Sequence, residues 1–501
     1  MLANKKGGFF SKFLSSKKEY PVLAAIAAGL YPILFYFTNN FTLVNSWQHV
    51  GFFVLFFLCV PILIFLIAHK VSRISYFVPF RKYILPFLNV FTFLFLMGIC
   101  HYAGIQKKIS LVFIPLAMLV SFFLYRYFKK LIILQFILAV IGLITLMFSI
   151  INRPSFSKEW TMQPDDIEQV LFKKTPNVYF IQPDGYSNFS ELEKGYYQLD
   201  THDLKFFLEE NGFKNYPGFR SNYASTLSSN SSLFMMKHHY YNNGRNMGEA
   251  IDARNIIVSE NPVLTIFKNN GYKTCLILAK QYLLLNKPKV GFDYSNITVS
   301  DVPYISAGLD KGSDVFSDLN EAMLDIDEKP KFYFIEFFNP GHIENRKSKS
   351  KGREGERDLW IESLERSNTK LKRLVSTIKK NDPNSLIIIA ADHGGYVGLD
   401  YGAEIYNKTN DKDLINSIFS STLSIHWPDQ EAPSFDQKFK SSVNIFRILF
   451  SYLIEDTRYL EGLQDDESYI LIQKGAPKGV YKYLDADGNA TFENFSIFKL
   501  K

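Results

Sequence analysis

The chain has 501 residues, 47% hydrophobic and 16% aromatic, which is apolar for a soluble protein and long enough for two or more domains. Its net charge of +7 is unevenly placed: residues 1–150 hold fourteen Lys and Arg against one acid, Glu19, giving +13 and leaving −6 for residues 151–501. The basic residues fall between apolar runs and form no aromatic-interleaved patch, which argues against nucleic acid as a partner and for membrane topology.

Five apolar runs, 21–38, 50–69, 83–100, 109–125 and 131–150, are each long enough to span a hydrocarbon core of about 30 Å as a helix. The first follows a Lys-rich start but precedes four more, so it reads as a retained anchor and not a cleaved signal. Lys5, Lys6, Lys12, Lys17 and Lys18, then Lys70, Arg73, Arg81 and Lys82, then Arg126, Lys129 and Lys130 fall on one side; the other has only Lys107 and Lys108. Twelve against two places the N-terminus in the cytoplasm, and an odd number of spans places everything after residue 150 outside it. The expected organisation is a transmembrane domain over 1–150, a juxtamembrane linker over 151–175 and an extracytoplasmic domain over 176–501. In the linker, Ile167, Val170 and Leu171 have helical spacing and are expected to lie on the bilayer surface. Cys59 and Cys100 lie within apolar runs and only Cys275 in the polar part, so no disulfide forms within that part.

The outer domain opens with a buried-strand pattern at 177–183 that delivers Asp184 at its end. A helix at 203–212 follows, then a hydroxyl-rich turn feeding a helix across 220–236. Ser225 and Thr226 sit where that helix begins, beside the positive end of its dipole, as ordinary caps or as a reactive hydroxyl. A helix at 263–272, a strand at 274–279 and a strand at 331–338 come next, the last leading to His342. The mixed-charge stretch 344–357 reads as a solvated mobile loop, with phosphate headgroup contact as the alternative, and 358–380 as a long amphipathic helix. The apolar run 386–389 then ends in Asp392 and His393, with Gly394 and Gly395 expected to serve a tight turn. A strand at 419–427, a helix at 443–454 and a hairpin turn at 485–489 complete the pattern.

Alternating strands and helices imply a mostly parallel sheet flanked by helices, which can bring Asp184, Thr226, Asp392 and His393 to one edge. Two carboxylates, an imidazole and a hydroxyl suit a divalent ion that activates the hydroxyl as a nucleophile. Glu336, Asn339, His342 and His426 are further polar groups for a second site.

The motifs NVYFIQPDGY (177–186), SNYASTLSS (221–229), NPGH (339–342), AADHGG (390–395) and SVNIFR (442–447) resemble those of the alkaline phosphatase and sulfatase superfamily. Within it, the resemblance is to five-helix membrane phosphotransferases such as lipoteichoic acid synthases and lipid A phosphoethanolamine transferases. It implies a five-helix transmembrane bundle joined to an α/β sulfatase-like domain, in a bacterial inner membrane with the domain on the outer side. It further implies a divalent metal (Mn, Zn or Mg) on Asp184, Thr226, Asp392 and His393, Thr226 as nucleophile, and His342 as a catalytic group on the substrate side. The implied reaction moves a phosphoglycerol- or phosphoethanolamine-type headgroup from a membrane phospholipid donor to an envelope glycan or glycolipid acceptor. Two alternatives stand beside it: a phosphodiesterase or sulfatase-like hydrolase, and a catalytically silent protein that binds lipid or a partner. The chain departs from the sulfatase pattern C/S-x-P-x-R, since Leu-Ser-Ser follows Thr226. It also lacks the histidine that follows the Asp-His pair in lipoteichoic acid synthases, where Tyr396 and Val397 stand.

Overall fold

A computed structural model describes residues 9–151, 159–243, 250, 252–309, 312–324 and 328–495. Lys5, Lys6 and residues 152–158 of the expected linker lie outside these. The chain divides into two compact units, one of Met1–Pro154 with Leu285–Lys287 and Val302–Asp310, the other of the remainder.

The first unit contains helices α1 (Phe9–Ser15), α2 (Pro21–Asn39), α3 (Trp47–Val54), α4 (Val60–Val71), α5 (Arg81–Tyr102), α6 (Lys107–Leu124) and α7 (Phe128–Ile151). A π-helical turn, Leu55–Cys59, joins α3 to α4 without a break. Four helical stretches among the described residues are long and apolar enough to cross a membrane, and the fourth, Lys107–Phe148, has 42 residues. At 1.5 Å per residue that is about 63 Å, twice a hydrocarbon core, and a 3₁₀ turn at Tyr125–Tyr127 divides it into α6 and α7. One end of the bundle gathers the starts of α2, α5 and α7: Arg81 donates to Glu19 at 2.7 Å, and the Lys129 ammonium donates to the Phe13 carbonyl at 2.9 Å. The other end is apolar, with Tyr36, Phe53, Phe57, Leu96 and Cys100 buried together.

The second unit is built on seven strands: β1 (Val178–Pro183), β2 (Phe213–Asn215), β3 (Lys273–Leu278), β4 (Tyr294–Ser295), β5 (Lys331–Phe337), β6 (Leu386–Ala390) and β7 (Leu423–His426). Their order is β2-β7-β6-β1-β5-β3-β4, parallel from β6 to β4 and antiparallel where β7 meets β6 and β2. The central strands β1, β5 and β6 are buried throughout, which is why they read as unbroken apolar runs. Tyr179 and Ile181 face the core under the helix Gly352–Asn381, which presents Trp360, Leu371, Leu374 and Ile378. Phe180 and Phe332 alternate to the other face, against Phe446 and Phe267 at ring separations of 5.2 and 4.2 Å. A second sheet of β8 (Ser468–Ile472), β9 (Gly479–Leu484) and β10 (Ala490–Asn494) contains the expected hairpin, its turn closed by Asp485 accepting from the backbone of Asp487 and Asn489.

Three expectations are corrected. Residues 352–357 are the opening turns of the helix Gly352–Asn381, not loop, and the Arg357 guanidinium donates to the Tyr197 carbonyl at 2.6 Å. Ile167 and Val170 do not form a surface-lying helix; a 3₁₀ turn at Ile167–Gln169 buries both within the second unit, and only Leu171 is exposed. That segment is held by Arg447, fully buried, which donates to Asp165 and to Gln163, both at 2.7 Å. The strand expected at 419–427 starts only at Leu423, because Phe419 closes the amphipathic helix Lys412–Phe419.

Candidate metal centre

β1 and β6 are adjacent, parallel and in register, Ile181 opposite Ile389, so the chain leaves both at the same edge and sets Asp184 beside Asp392. β5 flanks β1 on its other side, and its continuation folds across the exit of β1: Asp184 N–H donates to the Phe337 carbonyl at 2.9 Å, and Gly341 N–H to the Asp184 carbonyl at 2.7 Å. This close approach explains Gly185, whose φ is +64° and where a Cβ would lie 2.3 Å from the Gly341 carbonyl oxygen. Gly394 and Gly395 do not have positive φ; they are needed for packing and not for a turn. A Cβ would meet the Ser417 carbonyl oxygen at 2.1 Å from the first and the Trp360 indole nitrogen at 2.3 Å from the second.

Asp392 Oδ1 accepts from the backbone N–H groups of Gly185 and His393, at 3.1 and 3.0 Å, which aims the carboxylate. Its Oδ2 is buried without a hydrogen-bond partner, 3.4 Å from His393 Nε2. His393 Nδ1 is 2.8 Å from the Gly394 carbonyl, to which only an N–H can donate, so Nε2 carries the lone pair of the neutral ring. Nε2 is 3.3 Å from Asp184 Oδ1 and 3.5 Å from Thr226 Oγ1, and the Thr226 hydroxyl donates to Asp184 Oδ1 at 3.3 Å. Thr226 is the first residue of the helix Thr226–Met235, tied to β1 by a reciprocal amide pair, Gln182 with Asn230, at 2.7 and 2.8 Å. Ser225 turns away and donates to Ser228 Oγ at 3.1 Å.

Asp184, Asp392 and His393 offer ligand atoms within 4.8 Å of one another, and all three residues are buried. Burial, reinforced by Asp392 and Glu336, pushes the Asp184 carboxyl well above the usual carboxylate range. Glu336, at 0% exposure with both oxygens unpartnered, is pushed up to about 8 by burial and then by Asp392. Carboxylates crowded out of water, one with an unmatched oxygen turned toward an imidazole lone pair and a hydroxyl, are what a divalent cation would satisfy. The donor set fits such an ion, and its mixed oxygen and nitrogen character does not choose among Mn, Zn and Mg.

The structure brings His342 to the same edge, its ring 5.9 Å from that of His393. Its Nδ1 is 2.7 Å from the Ile343 carbonyl, and burial followed by His393 lowers its pKa. Tyr396 joins the two histidines. Its ring stacks on His342 at 5.0 Å and on His393 at 5.1 Å, while its hydroxyl donates to the Ala224 carbonyl, two residues before Thr226. It does so with φ of 60°, a conformation that costs a non-glycine residue about 1 kcal/mol or more and is found where a site demands it. Asn339 and His426 are not at the centre. Asn339 bonds Ser363 and Lys370 on the long helix, and His426 lies opposite Ile387 at the far end of β6, with Nδ1 3.0 Å from the Ser385 carbonyl.

Among solved structures, the chain is similar to the C-terminal periplasmic domain of EptC from Escherichia coli, at 11% identity and a TM-score of 0.42, covering 66% of this chain and 96% of that one. It is similar to the lipoteichoic acid synthase LtaP from Listeria monocytogenes, at 14% identity and a TM-score of 0.42, covering 65% and 91%. It is also similar to the integral membrane lipooligosaccharide phosphoethanolamine transferase EptA from Neisseria meningitidis, at 12% identity and a TM-score of 0.38, covering 86% and 95%. No curated protein matches. The family model described as Sulfatase matches residues 195–453, which is 259 of the 501 residues. With more than half of its residues matched, and the matched stretch taking in Thr226, His342 and the Asp392–His393 pair, the chain belongs to the sulfatase family of enzymes.

Proposed function

We propose that the enzyme transfers a phospholipid-derived phosphoryl headgroup, of phosphoglycerol or phosphoethanolamine type, to an envelope glycan or glycolipid through a phosphothreonine at Thr226. The observation that carries this reading is the Thr226 hydroxyl at a helix N-terminus, within 3.3 Å of Asp184 Oδ1 and 3.5 Å of His393 Nε2. A bound divalent ion supplies Lewis acidity, lowering the hydroxyl pKa and offsetting phosphoryl charge. In the first step Thr226 Oγ1 bonds to phosphorus and the bond from phosphorus to the diacylglycerol oxygen breaks. The hydroxyl proton leaves along the hydrogen bond to Asp184 and ends on the departing alcohol. In the second step an acceptor hydroxyl attacks the same phosphorus, and Thr226 Oγ1 departs and regains a proton. His342, kept neutral near pH 7 by its lowered pKa, is the base beside the centre for the acceptor's proton.

The membrane half of the reading assigns 1–150 to a five-helix domain of the bacterial inner membrane and 176–501 to an extracytoplasmic catalytic domain, into whose core the 151–175 linker packs Ile167 and Val170. The excess of Lys and Arg in alternate loops supports this orientation. The alternative is hydrolysis, with water as the second acceptor, although the chain lacks the C/S-x-P-x-R pattern of sulfatases. Incubating the full chain with headgroup-labelled phospholipid and envelope extract separates the two. Transfer predicts label in glycan or glycolipid with release of diacylglycerol, both lost in Thr226→Ala. Free labelled headgroup without an acceptor product would establish the hydrolase, and full transfer by Thr226→Ala would remove the covalent route.

A further inference from the structure

At the basic end of the helical bundle lies a cavity of about 360 Å³ to which three stretches of chain contribute cations. Lys17 and Lys18 precede α2, Arg81 and Lys82 open α5, and Arg126, Lys129 and Lys130 sit at the turn from α6 to α7. The one acid in the lining is Glu19, already engaged by Arg81 at 2.7 Å, with His69 Nδ1 3.3 Å away. Residues 1–150 contain no other Asp or Glu, so the local sequence supplies no carboxylate for the rest. Aromatic rings hold several of these cations without neutralising them. Lys82 lies over Tyr83 and Tyr125 at 4.9 and 5.0 Å, and Lys129 over Phe13 and Tyr20 at 5.3 and 5.4 Å. Leu85, Pro86 and Ile132 make the lining apolar on the side where the helices continue.

We infer that this cavity binds the headgroup of an anionic phospholipid, at a site independent of the reaction at Thr226. Charge complementarity selects the anion, since six cations line the cavity beyond the pair formed by Arg81 and Glu19. The apolar side selects a lipid over a free anion. With a phosphate among the ammonium groups, the glycerol and first acyl carbons run past Leu85, Pro86 and Ile132 in the direction of the helices. Inorganic phosphate or soluble glycerol phosphate would use the cations and leave that surface uncovered. Basic pockets between membrane helices recognise anionic lipid in this way, each cation near the surface adding to the attraction.

The test is a native mass spectrometry titration of the full chain in neutral detergent with phosphatidylglycerol and with phosphatidylcholine. The wild type should bind phosphatidylglycerol about tenfold or more tightly. A Lys82→Gln, Arg126→Gln, Lys130→Gln variant should fall below about threefold preference. A Lys12→Gln, Lys70→Gln, Arg73→Gln variant, which removes equal charge near the same end but outside the cavity lining, should keep it. Equal wild-type affinity for the two lipids would overturn the site, and that result needs no variant to fold. Equal loss in the two triple variants would replace it with diffuse surface charge. Full displacement of phosphatidylglycerol by soluble glycerol phosphate would make it a site for free anions.

Discussion

Glu336 stands outside the set of Asp184, Thr226, Asp392 and His393, yet it is completely buried and neither oxygen has a partner. Its folded value of about 8 stands above the ordinary 4.5, so between those values the folded protein holds a proton that the unfolded chain releases. The associated stability is fully present below about 4.5 and is lost as pH rises through about 8. In chelator-treated protein, Glu336→Gln keeps the shape and removes the titration. Its melting temperature should therefore fall less from pH 5 to pH 8 than that of the wild type; equal falls would mean that Glu336 is not the group responsible. Asp184, Asp392, His393 and His342 were readable because each follows an apolar strand, and a strand exit can be seen in one dimension. His426 was misplaced because β7 runs antiparallel, which sends its end to the opposite edge. Tyr396 stood out in the sequence only as a departure from a histidine; its stacking between two histidines comes from the fold that brings them together.

At the scale of elements, the centre depends on the exits of β1 and β5 lying against each other. Gly185→Ala would set a Cβ 2.3 Å from the Gly341 carbonyl oxygen at a φ of +64°. Backbone, not a side-chain tip, must then move, at a cost of about 3 kcal/mol or more. Gly218→Ala is the comparison, with φ of +72° and nothing within 4 Å, and should cost about 1 kcal/mol. Metal analysis of the purified variants should find bound divalent ion lost in Gly185→Ala and retained in Gly218→Ala. Retention in both would mean that the packed exits do not shape the site. The long central strands were legible from unbroken apolar runs, whereas β2 and β4, of three and two residues, are too short to carry a pattern. The start of the helix Gly352–Asn381 was hidden because its first turns are charged and show no apolar period. Ile167 and Val170 have helical spacing, but they fill the second unit's core from a 3₁₀ turn, and spacing alone cannot tell which surface will cover them.

At the scale of the molecule, composition alone separated an apolar, basic part from a polar, acidic one, because lipid and water impose different solvents on the two. The division of labour follows from it. The apolar helices provide for residence among lipids, and the sulfatase-family unit gathers a hydroxyl, two carboxylates and an imidazole at one sheet edge. In the proposed reaction the Thr226 hydroxyl is a covalent carrier. Its most direct test is peptide mass spectrometry of the full chain after incubation with its own membrane phospholipids and a divalent ion, followed by an acid quench. A phosphoryl-headgroup adduct is expected on Thr226 in the wild type, depleted when acceptor is added and absent from an Asp392→Asn, His393→Ala variant. Turnover of phospholipid with Thr226 unmodified under every quench, or an adduct on a different residue, would contradict it.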